Sequence, residues 1–400
     1  LTSRHFSTKI DGVVTRSLSL PQSTFFLFGA RGTGKTTWLQ HSLPRERSHF
    51  FNLLIERDYQ HYLTDPHQFY LEVQAIPQSH WIVIDEIQRL PQLLNYVHQL
   101  INEGRWKFAL TGSSARQLRR QGVNLLAGRA LTRYMFPYLP SELGEGFKLS
   151  KALHIGLLPV ALASAEPVES LFTYCETYLR EEIQHEALVK NLASFSRFLR
   201  VSALMHGQVL NTLNIAREAG VARSTVQGYF DVLYDTHVAF ALEAYQPRLS
   251  LRERHHPKFY WFDPGVVRAL KGYRQPPTLE ERGALLEGLV AQSLKAYLHY
   301  SKAFENMCYW CPTENQNQEV DFVLLRSDEA WAIEVKSSPR LRNEYLAGLK
   351  AISGLKHLKR KILLYTGSKR LFLKDEGIEV LPVEEFLRSL SIRRASHPQN

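Results

Sequence analysis

The sequence predicts an α/β chain built in several parts, and three observations carry that prediction. A short apolar strand enters a glycine-rich loop and a helix leaves it, over residues 25–42. Further apolar strands alternate with helical spacing as far as about residue 140, the rhythm of a parallel sheet with helices on its faces. Strand-like runs then return after residue 300, behind a middle that reads as helical. Four hundred residues exceed one ordinary core, so several domains are expected. The breaks fall near 140, 206 and 275, giving parts 1–140, 141–206, 207–275 and 276–400.

The elements follow in order. Phe25 to Phe28, Trp81 to Ile84 and Phe108 to Thr111 read as buried strands, with helices starting at Lys35 and spanning Gln92 to Asn102. Leu171 to Arg200 carries apolar residues at helical spacing, and a second helical block runs from Val209 to about Val238. Pro276 and Pro277 mark a linker before a long helix from Glu280 to His299. Strands are expected at Met307 to Trp310, Val320 to Leu325 and Trp331 to Val335.

Composition excludes several classes. Apolar residues make up 44% and charged residues 22%, as in folded globular chains. No stretch approaches the roughly 18 apolar residues of a membrane span, and Leu1 to Ile10 lacks a signal-peptide core. Three cysteines cannot form a disulfide framework, which points to a reducing, cytoplasmic setting. A zinc site is not expected either, because the one C-x-x-C pair, Cys308 and Cys311, has no second pair to complete four ligands. The net charge is +10, with +7 of it between Ser337 and Asn400. Arg105 to Arg133 holds seven basic residues and no acidic one. Such asymmetry suggests polyanion partners, nucleic acid (DNA foremost) or nucleotide; a merely solvated basic surface is the alternative.

The chemistry begins at Gly29-Ala30-Arg31-Gly32-Thr33-Gly34-Lys35-Thr36, a glycine, four residues, then Gly-Lys-Thr. Glycines let backbone N–H groups curl around phosphates, and the helix that follows adds positive potential. Lys35 is expected to reach the β- and γ-phosphates, and the Thr36 hydroxyl to ligate Mg²⁺. About fifty residues on, the strand Trp81-Ile82-Val83-Ile84 ends in Asp85-Glu86. The reading places that strand end beside the loop, with Asp85 holding Mg²⁺ and Glu86 orienting water. Thr111 and Ser113, at the end of a third strand, stand where a γ-phosphate sensor is expected. Arg129 is a candidate finger for a neighbouring subunit's γ-phosphate, or else a surface or nucleic-acid-contacting arginine.

These residues resemble the AAA+-type ATPase module that precedes a C-terminal domain of unknown function. The likeness rests on Gly29 to Thr37, Ile84-Asp85-Glu86-Ile87-Gln88, Leu110-Thr111-Gly112-Ser113 and Leu126-Ala127-Gly128-Arg129, followed by Pro137 and Glu142. It continues through Gly156 to Pro159, Tyr174 to Leu179, Phe259 to Gly265, Tyr309-Trp310 and Glu319 to Val323. The resemblance implies ATP as the nucleotide, Arg129 as the finger and a homo-oligomer.

Two further patterns follow. Asn214 to Leu233 reads as helix, turn at Gly220 and helix, capped by Ser224 or its neighbours. Arg223, Ser224, Thr225 and Gln227 then lie at the end that meets DNA in a winged-helix or helix-turn-helix unit; packing is the alternative use. Finally, Glu287 on the long helix, Asp321 on a strand, and Glu334-Val335-Lys336 after twelve intervening residues resemble a restriction-endonuclease-like core. There Asp321 and Glu334 are expected to hold Mg²⁺ and Lys336 to orient water, with Glu287 supporting them. The expected function is ATP-dependent action on nucleic acid, with Mg²⁺-dependent phosphodiester cleavage as an added activity. The alternative is an ATP-switched regulatory protein that binds DNA or protein through an inert nuclease-like domain.

Overall fold

The computed structural model describes residues 9–10, 13–104, 106–114, 118, 126–178, 192–245, 256–312 and 318–390. Its first sheet has five parallel strands in the spatial order Ser48–Asn52, Trp81–Asp85, Lys107–Gly112, Phe25–Phe28 and Leu131–Tyr134. Phe25 to Phe28 is buried along its whole length because both faces of this sheet are covered. Phe26 and Phe28 face the helices Pro66–Gln74 and Leu93–Asn102, while Phe25 and Leu27 face the helix Lys35–Ser42. Each buried phenylalanine contributes about 1.5–3 kcal/mol, so the central strand alone anchors the loop that follows it.

Two strands of that sheet escape the apolar-run criterion. Ser48–Asn52 is an edge strand of sequence SHFFN, with three polar positions, and Leu131–Tyr134 is half exposed at the other edge. The Trp81 strand does not pair with the phosphate-loop strand, since Lys107–Gly112 runs between them. Its acidic end nevertheless reaches the loop.

The helical middle packs on this unit. Helices Leu149–Ile155, Pro159–Leu162, Pro167–Thr173 and Leu192–Leu204 share a core with the residues that follow. The block expected from Val209 to Val238 resolves into a strand, Gln208–Val209, and two helices, Thr212–Ala219 and Arg223–Asp235. Gly220 supplies the left-handed residue (φ 67°) that ends the first helix. Asn211 caps that helix through Leu213 N and Asn214 N; the second starts at Ala222 without a side-chain cap, so the Ser224 cap is corrected. A three-stranded antiparallel sheet, Gln208–Val209, Lys258–Trp261 and Ala239–Leu242, completes a winged-helix arrangement.

The C-terminal part opens with the helix Leu279–Ser301, capped by the reciprocal Thr278–Glu281 box. Its six-stranded mixed sheet runs Asn306–Trp310, Val320–Arg326, Glu329–Lys336, Leu358–Tyr365, Ile378–Pro382 and Leu371–Leu373. The first three strands are antiparallel; Glu329–Lys336, Leu358–Tyr365 and Ile378–Pro382 are parallel. The basic stretch from Ser337 is folded in its described part. Val383–Ser389 is a helix whose Val383, Phe386 and Leu387 are buried, and residues 391–400 lie outside the described residues. Five of the stretch's basic residues are paired with acids, in Arg342–Glu344, Lys350–Glu376, Arg360–Glu379, Arg370–Glu385 and Arg388–Glu384, which leaves the net surplus as it was. Of the other basic stretch, Arg105, Arg116, Arg119 and Arg120 lie outside the described residues. No helix among the described residues is long and apolar enough to cross a membrane.

Candidate functional site

Strand ends at one edge of the parallel sheet assemble the phosphate site. Gly29 leaves its strand so close to Met135 that a Cβ there would stand 2.3 Å from the Met135 carbonyl oxygen. Gly34, at φ 87°, holds the left-handed turn into the Lys35–Ser42 helix. The Lys35 ammonium lies inside the loop and donates to the Gly29 and Ala30 carbonyls at 2.8 and 3.3 Å. Thr33, fully buried, donates to Ala30 O at 2.8 Å. Arg31 and Thr37 are exposed, Thr37 on the outer side of the first helical turn. Tyr174 donates to the Arg31 carbonyl at 3.1 Å, and Val160 N to Gly32 O at 3.3 Å, so the helical middle grips the loop's outer rim.

Thr36 Oγ1 donates to the Asp85 carboxylate at 2.8 Å. Burial pushes the Asp85 carboxyl above its ordinary value, a tendency that its bond from Thr111 opposes and the Glu86 charge reinforces. Thr111, fully buried, donates to Asp85 and accepts the Glu86 N–H at 3.0 Å. Its hydroxyl thus links the Asp85 carboxylate to the Glu86 backbone at the strand end where the γ-phosphate sensor is expected. Glu86 has a left-handed backbone (φ 60°), a strain of about 1–3 kcal/mol that the surrounding bonds must hold.

Two residues escaped the sequence reading as site members. Gln88 Nε2 donates to the Glu86 carboxylate and to Ser113 Oγ at 3.0 Å, so it and Ser113 together aim Glu86. Its position two residues past the acidic pair was the available signal. Arg16 is buried, pairs with Glu142 at 3.2 Å and donates to the Thr33 carbonyl at 3.2 Å and to the Phe136 carbonyl. An isolated arginine outside any motif offers no spacing to read.

Arg129 is exposed and precedes Leu131–Tyr134, whose first residue pairs with Phe25. It thus sits at the strand-start end of the sheet, a full strand's length (about 10–13 Å by strand rise) from its own loop. The structure does not bring Arg129 to the other site residues of the same chain.

On the winged-helix unit, Arg223, Ser224 and Gln227 are exposed and Thr225 is half-buried. Arg223 Nε donates to Thr212 Oγ1 at 3.2 Å and Gln227 to Asp231 at 3.2 Å.

The C-terminal carboxylates converge. Asp321 stands one step along the ladder from the Phe322–Ile333 pair, directly across from Glu334. Val335 N donates to Asp321 at 2.9 Å and Asp321 N to Glu334 at 3.3 Å, while Lys336 pairs with Glu334. Burial and the Asp321 charge raise the Glu334 carboxyl well above its usual range, and the same two causes raise Glu287. The unexpected member is Lys258. Its buried ammonium lies 2.9 Å from Glu287 and 3.4 Å from Asp321 and also pairs with Glu319. Burial alone would lower its pKa, but Glu287 and Asp321 carry it well above the ordinary lysine value.

The two sites therefore differ in their fit to Mg²⁺. At the phosphate loop a hydroxyl and a carboxylate face each other, both oxygen donors of the kind a hard ion takes, so Thr36 and Asp85 fit. At the C-terminal cluster the reading of Asp321 and Glu334 as Mg²⁺ ligands is corrected, because Lys258 already bridges Asp321 to its acidic neighbours. Among the described residues no group of three or more His, Cys, Asp or Glu is arranged to hold a metal ion.

Comparisons with known proteins match the chain in three stretches. Residues 21–144 match the AAA domain, 146–276 a domain of unknown function (DUF8612) and 282–386 another domain of unknown function (DUF4143). Uncharacterised proteins of Mycobacterium bovis and Mycobacterium tuberculosis are 27% identical over 320 residues, covering 78% of this chain and 70% of theirs. Among solved structures, Aeropyrum pernix Orc1 in complex with DNA is 14% identical, with 62% of this chain and 86% of that one covered and a TM-score of 0.27. AMPPCP-bound DnaA from Aquifex aeolicus is 13% identical, with 53% and 81% covered and a TM-score of 0.24.

Proposed function

We propose, for a chain that carries an AAA-type ATP-binding module followed by two domains of unknown function, that it hydrolyses ATP and uses the cycle to act on DNA. The observation that carries this reading is the linked set at the loop: Thr36 on Asp85, Thr111 on Asp85 and Glu86, and Gln88 on Glu86 and Ser113. A passive nucleotide pocket has no need of a strained carboxylate held by two neighbours.

In this reading Lys35 leaves the loop carbonyls for the β- and γ-phosphates, and backbone N–H groups of residues 29–36 hold the remaining phosphate charge. Mg²⁺, held by Thr36 and Asp85, supplies charge neutralisation at the phosphates when bound. Glu86 accepts a hydrogen bond from the attacking water and aligns it, and Gln88 fixes the direction of that carboxylate. Arg129 completes the site of a neighbouring copy in a homo-oligomer. Arg223, Ser224, Thr225 and Gln227 present the recognition helix to DNA, and the units 1–140, 141–206, 207–275 and 276–400 divide these tasks.

The C-terminal domain is the non-cleaving member. Lys258 amid Glu287, Glu319 and Asp321 favours a regulatory or binding domain over a Mg²⁺-dependent nuclease. The testing experiment measures ATP turnover with and without duplex DNA at low salt. Wild type hydrolyses ATP and DNA raises the rate. Lys35→Ala loses ATP binding, and Glu86→Gln binds ATP but turns over about 10²–10⁴-fold more slowly, the usual scale for a positioned base. Full turnover in Glu86→Gln, or no response to DNA, would overturn the assignment.

A further inference from the structure

We propose that Lys258 is the resident cation of the C-terminal carboxylate cluster, standing where a divalent ion would bind and keeping the wild-type cluster free of metal. The inference goes beyond the reading of the phosphate site and does not depend on ATP hydrolysis.

The geometry carries it. Lys258 belongs to Lys258–Trp261, a strand of the winged-helix sheet, yet its side chain enters the C-terminal domain. An ammonium has three N–H donors, and three carboxylates from different parts of the chain surround it. Glu287 comes from the helix Leu279–Ser301, Glu319 from the segment just before a strand, and Asp321 from that strand. The lysine side chain is only 5% exposed, and the Tyr309 ring stands 5.6 Å from its nitrogen. Tyr260, two residues on and therefore on the same strand face, donates its hydroxyl to Glu287. The fourth carboxylate, Glu334, has its own counter-ion in Lys336.

Asp321 and Glu334 face each other across antiparallel strands, a like-charge juxtaposition that is unfavourable without a cation between or beside them. A metal ion that took an Asp321 oxygen together with Glu287 or Glu319 would ease the conflict, but it demands the space that the Lys258 ammonium fills. Two cations within about 3 Å of one another repel strongly in a buried site. The lysine is covalently tethered, so it meets the carboxylates at a high effective concentration that free Mg²⁺ must exceed to displace it. The same contact fastens the winged-helix sheet to the C-terminal domain.

The test titrates the full chain with Mn²⁺ in the absence of nucleotide, counting free ion by electron paramagnetic resonance and following thermal melting in parallel. Wild type and Asp321→Asn are expected to bind Mn²⁺ equally weakly. Lys258→Met, which keeps the length of the stem, is expected to gain one Mn²⁺ site at least about tenfold tighter, with a Tm that rises as Mn²⁺ is added. Combining it with Asp321→Asn removes both gains, and Lys258→Arg behaves as wild type. If Lys258→Met does not fold alone, it is refolded with Mn²⁺, and recovery supports the proposal. An Asp321-dependent Mn²⁺ site in wild type overturns it. So does a folded Lys258→Met without a new site, or one that Mn²⁺ fails to rescue while Lys258→Arg folds.

Discussion

Gln88 is where single-residue chemistry decides most. Its amide joins Glu86 to Ser113, and a hydrogen bond to a charged group is worth about 1.5–3 kcal/mol. Gln88→Ala should therefore lower kcat by about tenfold to a hundredfold with little change in KM, as steady-state kinetics would show. An unchanged kcat would mean that Glu86 keeps its aim without help. The acids and hydroxyls around it were legible because a strand ending in Asp85-Glu86 has few other uses beside a phosphate loop. The bonds among them were not, because side-chain direction at a left-handed residue such as Glu86 depends on its neighbours. A second residue sets a pH limit. His206 is fully buried, and burial pushes it down to about 3; its Nδ1 accepts the Trp261 N–H at 3.1 Å. The folded state thus keeps it neutral while the unfolded chain takes up a proton below the ordinary value of 6.5. Stability from this residue is present above that value and is lost as pH falls toward the folded one, by about 1.4 kcal/mol per unit. Urea melts across that window should show the slope in wild type and a shallower one in His206→Gln.

Among elements, the last helix departs furthest from expectation. By charge the segment after Val383 belongs to the basic stretch that ends the sequence, but Val383, Phe386 and Leu387 are buried. Ser141 donates to the Leu390 carbonyl at 3.1 Å and Arg388 to the Phe147 carbonyl at 2.8 Å, which ties the helix to residues 141–147. Leu387→Ala should cost about 2–5 kcal/mol, measurable by denaturant unfolding. Equal stability for Leu387→Ala would show that the helix is loosely held. Apolar runs such as Phe25–Phe28 and Trp81–Asp85 announce themselves, because a strand covered on both faces needs an unbroken apolar stretch. Ser48–Asn52, an edge strand with polar residues, carries no such mark. Lys258 was equally silent. Its acidic partners lie 29, 61 and 63 positions further along the chain, and only the fold brings them to it.

For the molecule as a whole, Arg129 stands at the wrong end of its own sheet to serve its own loop. Turnover should therefore depend on assembly, rising per subunit with protein concentration. Mixing Arg129→Ala with Lys35→Ala should restore part of the activity that each lacks, since some interfaces then pair an intact loop with an intact finger. Full activity from a monomer, verified by analytical ultracentrifugation, would rule the arrangement out. Within one copy, the helix Leu279–Ser301 reaches from the carboxylate cluster, through Glu287, to the ATP-binding sheet. There Ala296 and Tyr300 share a core with Phe25, Leu27 and Trp38, and Tyr300 accepts the Phe136 N–H at 3.1 Å. During synthesis, the last strand of the parallel sheet leaves the ribosome about 160 residues before Ala296 does, a delay of roughly 8–30 s at ordinary rates. Through that interval the part of this face that Ala296 and Tyr300 close in the finished fold stays open beside Trp38 and Leu39, which makes it a natural client for a chaperone.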